Sequence, residues 1–85
     1  MAKRIILGVN INHRVENVPH VQAVFTEFGC NIKTRIGLHE VADGACAPGG
    51  LVLLDMYGDE DEIGKMEHKL QTMPGVEVRK MEFDV

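Results

Sequence analysis

The chain predicts an α+β sandwich with elements in the order βαββαβ, a four-stranded antiparallel sheet carrying two helices on one face. Three observations carry this expectation. Two stretches place apolar residues at helical spacing, around 18–28 and 60–73. Four stretches alternate or run apolar in the manner of strands and bracket those two. Glycine or Pro-Gly follows each helical stripe directly.

The first strand is read from Arg4 to Asn12, where Ile5, Leu7, Val9 and Ile11 alternate with Ile6, Gly8, Asn10 and Asn12. His13 to Asn17 is a polar connection. A helix over Val18–Phe28 follows, with Asn17 as its cap and Pro19 in the first turn, where a missing N–H costs nothing. Val18, Val21, Val24, Phe25 and Phe28 form its apolar stripe, and Gly29 is its expected left-handed stop.

Asn31 to Leu38 reads as a second strand, with Ile32, Thr34, Ile36 and Leu38 on one face and Lys33, Arg35 and Gly37 on the other. His39 to Gly50, rich in Gly, Ala, Asp and Pro, reads as a loop longer than a hairpin needs, and hence mobile or functional. The third strand, Leu51 to Tyr57, is apolar on both faces through Leu53 and belongs in the middle of the sheet. Asp59 caps a second helix over Glu60–Met73, with Glu62 completing a capping-box pair and Glu60 and Asp61 suiting the positive end of the helix dipole. Ile63, Met66, Leu70 and Met73 are its stripe, and Pro74-Gly75 ends it. Val76 to Phe83 is the fourth strand, with Val76 and Val78 opposite Glu77, Arg79, Met81 and Phe83.

The compact arrangement of this order is the ferredoxin-like split βαβ sandwich, with strands one and three central. Right-handed crossovers put both helices on the same side. The other sheet face has no helix left to cover it. It is expected to carry Ile6, Leu51, Leu53, Tyr57, Met81 and Phe83 beside Lys33, Arg35, Asp55 and Arg79, an apolar patch that implies an oligomer interface.

Composition narrows the function classes. With 85 residues the chain reads as a single domain, 1–85. A domain this small buries only roughly 60% of its unfolded surface, so association with another copy helps it. A formal net charge of −4 lacks the footprint of a nucleic-acid binder. The longest apolar run, Leu51–Leu54, is too short to span a bilayer, and the residues after Met1-Ala2-Lys3-Arg4 form no export signal. The expectation is a cytoplasmic protein with no direct nucleic-acid or membrane partner. Two cysteines are too few for a disulfide framework.

Particular motifs point to a family. Gly29-Cys30-Asn31-Ile32, between an amphipathic helix and a strand, resembles the Gly-x-Asn-Ile step of ACT domains, and Pro74-Gly75-Val76-Glu77-Val78 resembles their Gly-Val-x-x-Val ending. Arg35-Ile36-Gly37-Leu38-His39-Glu40-Val41 followed by Gly50-Leu51-Val52-Leu53-Leu54 is similar to the small ACT-like proteins described as regulators of iron-only hydrogenase systems. That family is compared with the C-terminal, metal-sensing domain of the nickel-responsive repressor. The resemblance implies a non-catalytic, ligand-sensing regulatory module that acts as a homo-oligomer, dimer or tetramer, with a small-molecule effector. Two departures matter. The Asp-x-x-Gly turn that approaches amino-acid ligands in ACT domains is replaced by Asn12-His13-Arg14-Val15-Glu16-Asn17. The repressor's DNA-binding segment has no counterpart before the first strand, so regulation of transcription would need a separate partner.

Strand geometry gathers candidate ligands at one sheet edge: His13, His39 and Cys46, with His20, Glu40 and Asp43 near them. Imidazole and thiolate suit zinc, nickel or copper. The transition-metal reading therefore uses His13, His39 and Cys46, and the effector reading uses Asn12, His13, Arg14 and His39. The repressor's His-x-His pair is missing, since position 37 is Gly37. The plainer reading is solvated histidines on loops, because no tight ligand spacing occurs. Cys30 lies at the other end of the hairpin. Eight strand residues span roughly 26 Å, and bridged cysteines need Cα atoms within about 7 Å, so no Cys30–Cys46 disulfide is expected. Cys30 is read as a buried filler.

Arg14, Lys33 and Arg35 are either an anion site or solvated charges. Met56, Met66, Met73 and Met81 are either a soft-metal surface or core packing. Two other classes stay in view: a protein–protein interaction module, and an acylphosphatase-like hydrolase built on Arg14. Against the hydrolase, Glu16 and Asp55 put negative charge where a phosphate must sit, and no catalytic set or phosphate loop stands out.

Overall fold

The computed structural model describes residues 3–12, 18–42 and 45–85, with side chains described except at 18 and 39–49. Its elements are β1 (Lys3–Ile11), α1 (Val18–Glu27), β2 (Ile32–Ala42), β3 (Ala45–Met56), α2 (Glu60–Gln71) and β4 (Val76–Asp84), the βαββαβ order expected from the sequence. The four strands form one antiparallel sheet in the order β2-β3-β1-β4, with β1 and β3 central.

The core lies between the helices and one sheet face. Ile5, Leu7, Val9 and Ile11 of β1 are buried, as are Leu54 and Met56 of β3 and Val76 and Val78 of β4. Against them pack Val21, Val24, Phe25 and Phe28 from the first helical stripe and Ile63, Met66 and Leu70 from the second. The alternation in β1 and the helical stripes are thus read out directly as burial. Met73, beyond α2, joins the core edge.

Helix ends follow the sequence in part. At α2 the Asp59 side chain accepts from the Asp61 N–H at 2.9 Å, and Glu60, Asp61 and Glu62 occupy the first turn. Glu62 does not close a capping box; its carboxylate accepts from Lys65 at 3.0 Å. Pro74-Gly75 reverses the chain with Gly75 at φ 79°. Gly29 is not a left-handed stop. After α1 the backbone tightens into a 3₁₀ turn over Gly29–Asn31, closed by Asn31 N–H to Phe28 C=O at 2.9 Å. This presents Cys30 to solvent, so it is not the buried filler expected. The cap assigned to Asn17 lies outside the described residues.

Two expectations for the middle hairpin are overturned. His39–Gly50 is not a loop: β2 continues to Ala42 and β3 starts at Ala45, with Val41 opposite Cys46 and Ala42 opposite Ala45. The ladder here pairs His39 with Gly50, then Val41 with Cys46 and Ala42 with Ala45, with a second register shift between His39 and Val41. Between the paired Ala42 and Ala45 the sequence is Asp43-Gly44, a hairpin dipeptide that a reading by loop composition passes over. Second, Ile32 does not share a face with Thr34, Ile36 and Leu38. The ladder slips at Lys33, where Ile32 opposes Met56 and Thr34 opposes Asp55, two residues of β2 spanning one step of β3. Ile32 therefore packs on the core, and the bulge turns Thr34, Ile36 and Leu38 to the helix-free face.

Candidate functional site

The helix-free face is built in rows by strand register. Leu38, Leu51, Asn10 and Glu77 align across the sheet; so do Ile36, Leu53, Gly8 and Arg79, and then Thr34, Asp55, Ile6 and Met81. Arg4 and Phe83 begin a further row. Large apolar side chains stand in solvent here: Ile36 is 51% exposed, Leu38 48%, Met81 48% and Phe83 51%. Tyr57, one residue past β3, is exposed as well.

Of the interface residues read from sequence, Ile6, Leu51, Leu53, Met81 and Phe83 share this face by register. Ile36 and Leu38 belong with them and were missed, because alternation counted from Ile32 takes no account of the bulge. Arg35 was assigned to this face and is not on it. It opposes Leu54, its guanidinium lies 4.9 Å from the Phe25 ring centre and it donates to Gln22 Oε1 at 3.2 Å, all on the helix side. Of the three cations read as an anion site, Arg35 lies on the helix side and Lys33 at the slip in the ladder, while Arg14 lies outside the described residues. Met81 stands on this surface and not in the core, whereas Met56 and Met66 are buried.

The floor of the face is uneven. Gly8, on a central strand, has no side chain, and a Cβ placed there would lie 3.7 Å from Leu53 Cδ2 and 4.0 Å from Leu51 Cδ1. The resulting hollow, about 350 Å³, is bounded by Leu51, Leu53 and Met81, with Asn10, Glu77 and Arg79 on its rim. A second hollow of about 280 Å³ lies beside it between Ile6, Ile36 and Leu53, walled by Arg4, Thr34 and Asp55. Arg4 Nη2 lies 3.3 Å from Asp55 Oδ2, and Arg79 Nη2 lies 3.3 Å from Glu77 Oε2.

The other candidate region is the sheet end where β1 finishes. Ile11 opposes both Gly50 and Val76, and Gly50 opposes His39, so the His39 backbone and Asn12 lie at one end of the sheet. The Asn12 N–H donates to Gly75 C=O at 3.0 Å. Cys46 sits farther out: it opposes Val41, two residues beyond His39 on β2, roughly 7 Å at strand spacing. Cys30, before β2 begins, is at the opposite end of that strand. His20 is exposed in the first turn of α1, and Glu40 falls within β2. His13, Arg14 and Asp43, and the side chains of His39 and Cys46, lie outside the described residues. Among the described residues no group of three His, Cys, Asp or Glu side chains is close enough to hold a metal ion.

The helix side carries solvated ion pairs. Lys69 Nζ lies 2.8 Å from Glu27 Oε2, and 5.5 Å from the Phe28 ring centre. Lys80 bridges Glu67 of α2 at 3.3 Å and Glu82 of its own strand at 2.9 Å, while Lys3 reaches Glu82 at 3.4 Å. The hydrogen bond from Lys80, then that from Lys3, lowers the Glu82 carboxyl, and the bond to Glu82 raises Lys80. Among the described residues no polar or charged side chain is buried, and no helix is long and apolar enough to cross a membrane.

No protein-family model and no curated protein matches this sequence. Among solved structures, the chain is similar to the uncharacterized protein TM1266 from Thermotoga maritima, with a TM-score of 0.81 and 25% identity over 98% of this chain and 100% of that one. A nitrogen regulatory PII-like protein from Thiomonas intermedia K12, bound to ADP, AMP and bicarbonate, aligns with a TM-score of 0.48 and 13% identity over 96% of this chain and 89% of that one.

Proposed function

We propose that this chain is a non-catalytic, ACT-like regulatory domain that acts as a cytoplasmic homo-oligomer and senses a small ligand, within an iron-only hydrogenase system. The observation that carries the reading is the sheet face left without helices, on which Ile36, Leu38, Met81 and Phe83 stand about half exposed. A face of this kind serves association, and its charged groups are paired with one another. The Gly-Cys-Asn-Ile and Pro-Gly-Val-Glu-Val steps supply the family resemblance.

The effector site in this reading is the sheet end at Asn12, His13, Arg14 and His39, completed by a second subunit. A transition metal would draw on His13, His39 and Cys46. A small anion would use Arg14 with backbone N–H groups. Native mass spectrometry of untagged protein purified without chelator tests the reading, since it reports subunit number and any retained metal or small molecule together. An oligomer retaining either one supports the sensor. An oligomer that binds nothing, in this measurement and in titration calorimetry, moves the assignment to a protein–protein interaction module.

A further inference from the structure

We propose that the helix-free face binds a small amphipathic cation, its primary ammonium head on Asp55 and its apolar tail laid over Gly8. The site goes beyond the sensor reading and does not rest on it. It lies toward the start of β1, where Ile6 is six residues, roughly 20 Å, from Asn12 at the sheet end. Asp55 sets the head group. This carboxylate stands on a central strand with its side chain only 20% exposed, in a hollow walled by Ile6, Ile36 and Leu53. Among the described residues its one partner is Arg4, through a single contact of 3.3 Å to Oδ2, and Oδ1 accepts no hydrogen bond. Arg4 is itself 58% exposed, and exposed pairs of this kind hold weakly. Thr34 opposes Asp55 in the ladder and lines the same hollow, so its hydroxyl is a second acceptor for an ammonium with three N–H donors. The formal net charge of −4 favours the approach of a cation. An anionic head would meet Asp55 and Glu77, each already beside the arginine it would need.

The relief of the face sets the tail. Leu53 lines both the hollow at Asp55, about 280 Å³, and the hollow over Gly8, about 350 Å³, so the two adjoin. The second is bounded by Leu51, Leu53 and Met81 above a residue with no side chain, and it takes methylene groups out of water. Gly8 lies one strand across and two residues along from Asp55, which opposes Ile6; at sheet spacing that is about 8 Å. A linear chain of about six carbons, with bonds of about 1.5 Å, spans it. Both hollows sit near the lower end of ligand clefts, roughly 300–1,000 Å³, which restricts the ligand to a single chain or ring.

The test is an amide-detected NMR titration of the full chain with hexylamine at neutral pH, up to about 20 mM, a range that covers the millimolar binding of so small a ligand. Saturable shifts are expected at the amides of Ile6, Thr34, Leu53 and Asp55, with Asn12 and Gly75 unmoved. Hexanol and hexanoate carry the same tail on a neutral and an anionic head, and should bind at least about tenfold more weakly. Asp55→Asn keeps the shape of the side chain and should weaken hexylamine at least about tenfold. Arg4→Met removes the competitor for Asp55 and should strengthen hexylamine about threefold. Gly8→Val fills the tail hollow, and its Cβ meets Leu53 Cδ2 at an ordinary contact of 3.7 Å. That variant should erase the preference for hexylamine over propylamine. Absence of saturable shifts at these amides overturns the proposal. So does hexanol binding as tightly as hexylamine, or an Asp55→Asn chain with a folded spectrum and unchanged affinity. Tighter binding of hexanoate overturns it in favour of an anion held by the arginines. Weaker hexylamine binding in Arg4→Met, or a preference for the longer amine retained in Gly8→Val, overturns it as well. None of these outcomes involves the sheet end, so the sensor assignment keeps its own measurement.

Discussion

The side chain of Asn12 occupies the space beside Gly75 where a Cβ would stand: an ideal Cβ on residue 75 would fall 2.7 Å from both Nδ2 and Oδ1 of Asn12. The Asn12 N–H also donates to the Gly75 carbonyl at 3.0 Å, and Gly75 has φ 79°. The reversal before β4 and the end of β1 are thus one joint, which requires glycine for its backbone and for its clearance. Gly75→Ala is expected to cost about 1–3 kcal/mol of stability by urea unfolding. A neutral substitution would show that the joint relaxes freely.

Adjacent leucines of β3 should respond in opposite ways. Leu54 is fully buried in the core, so Leu54→Ala is expected to lose about 2–5 kcal/mol. Leu53 lies on the helix-free face, and at concentrations where the chain is dilute Leu53→Ala should cost less than about 1 kcal/mol. Denaturation at 1 μM compares the two directly. Similar losses would contradict the division of faces.

The charges around Glu82 predict a titration. Lys80 and Lys3 hold the Glu82 carboxyl below its ordinary value of 4.5, the hydrogen bond from Lys80 being the larger cause. A lowered acid pKa contributes stability above the unfolded value and loses it as pH falls through the folded one, so the contribution is present at neutrality and fades only in acid. Lys80 is raised above 10.5, so its share is present below that value and is lost as alkali passes its folded pKa. Carbon-detected NMR should find Glu82 titrating below 4.5 and moving back toward 4.5 in Lys80→Met. No movement would mean the pair does not persist in solution.

The two ligand chemistries at the sheet end are separated by Cys46→Ala. A transition metal held by His13, His39 and Cys46 should bind at least about tenfold more weakly in the variant, and more weakly below about pH 6 as the histidines protonate. An anion held by Arg14 should bind unchanged. Calorimetry with zinc or nickel and with inorganic phosphate distinguishes them, and unchanged metal affinity removes Cys46 from the site.

The regulatory reading expects no hydrolysis of acyl phosphates. Benzoyl phosphate turnover that is present in the unaltered chain and lost in Arg14→Ala would replace it with the hydrolase.

Periodicity determined much of this molecule. The i, i+2 alternation of Ile5, Leu7, Val9 and Ile11 and the helical spacing of Val21, Val24, Phe25, Phe28, Ile63, Met66 and Leu70 name the core, because burial on one face imposes those periods. The element order follows, and with it the helix-free face and five of the apolar residues on it, with Asp55 and Arg79 beside them. Only the tertiary structure decided the hairpin. The bulge at Lys33 exchanges the faces of Thr34 to Leu38 on β2, bringing Ile36 and Leu38 to the open surface and sending Arg35 to Phe25. Alternation within one strand carries no record of such a slip, since register belongs to the pairing of two strands. The extension to Ala42 and Ala45 was hidden for a related reason: Gly, Ala and Pro have weak strand preference, and their pairing belongs to a ladder that runs on from Leu38 and Leu51 through a second register shift between His39 and Val41. Cys30 faces solvent because Phe28 to Asn31 closes as a 3₁₀ turn, a choice made by backbone hydrogen bonds that the side chains do not spell out.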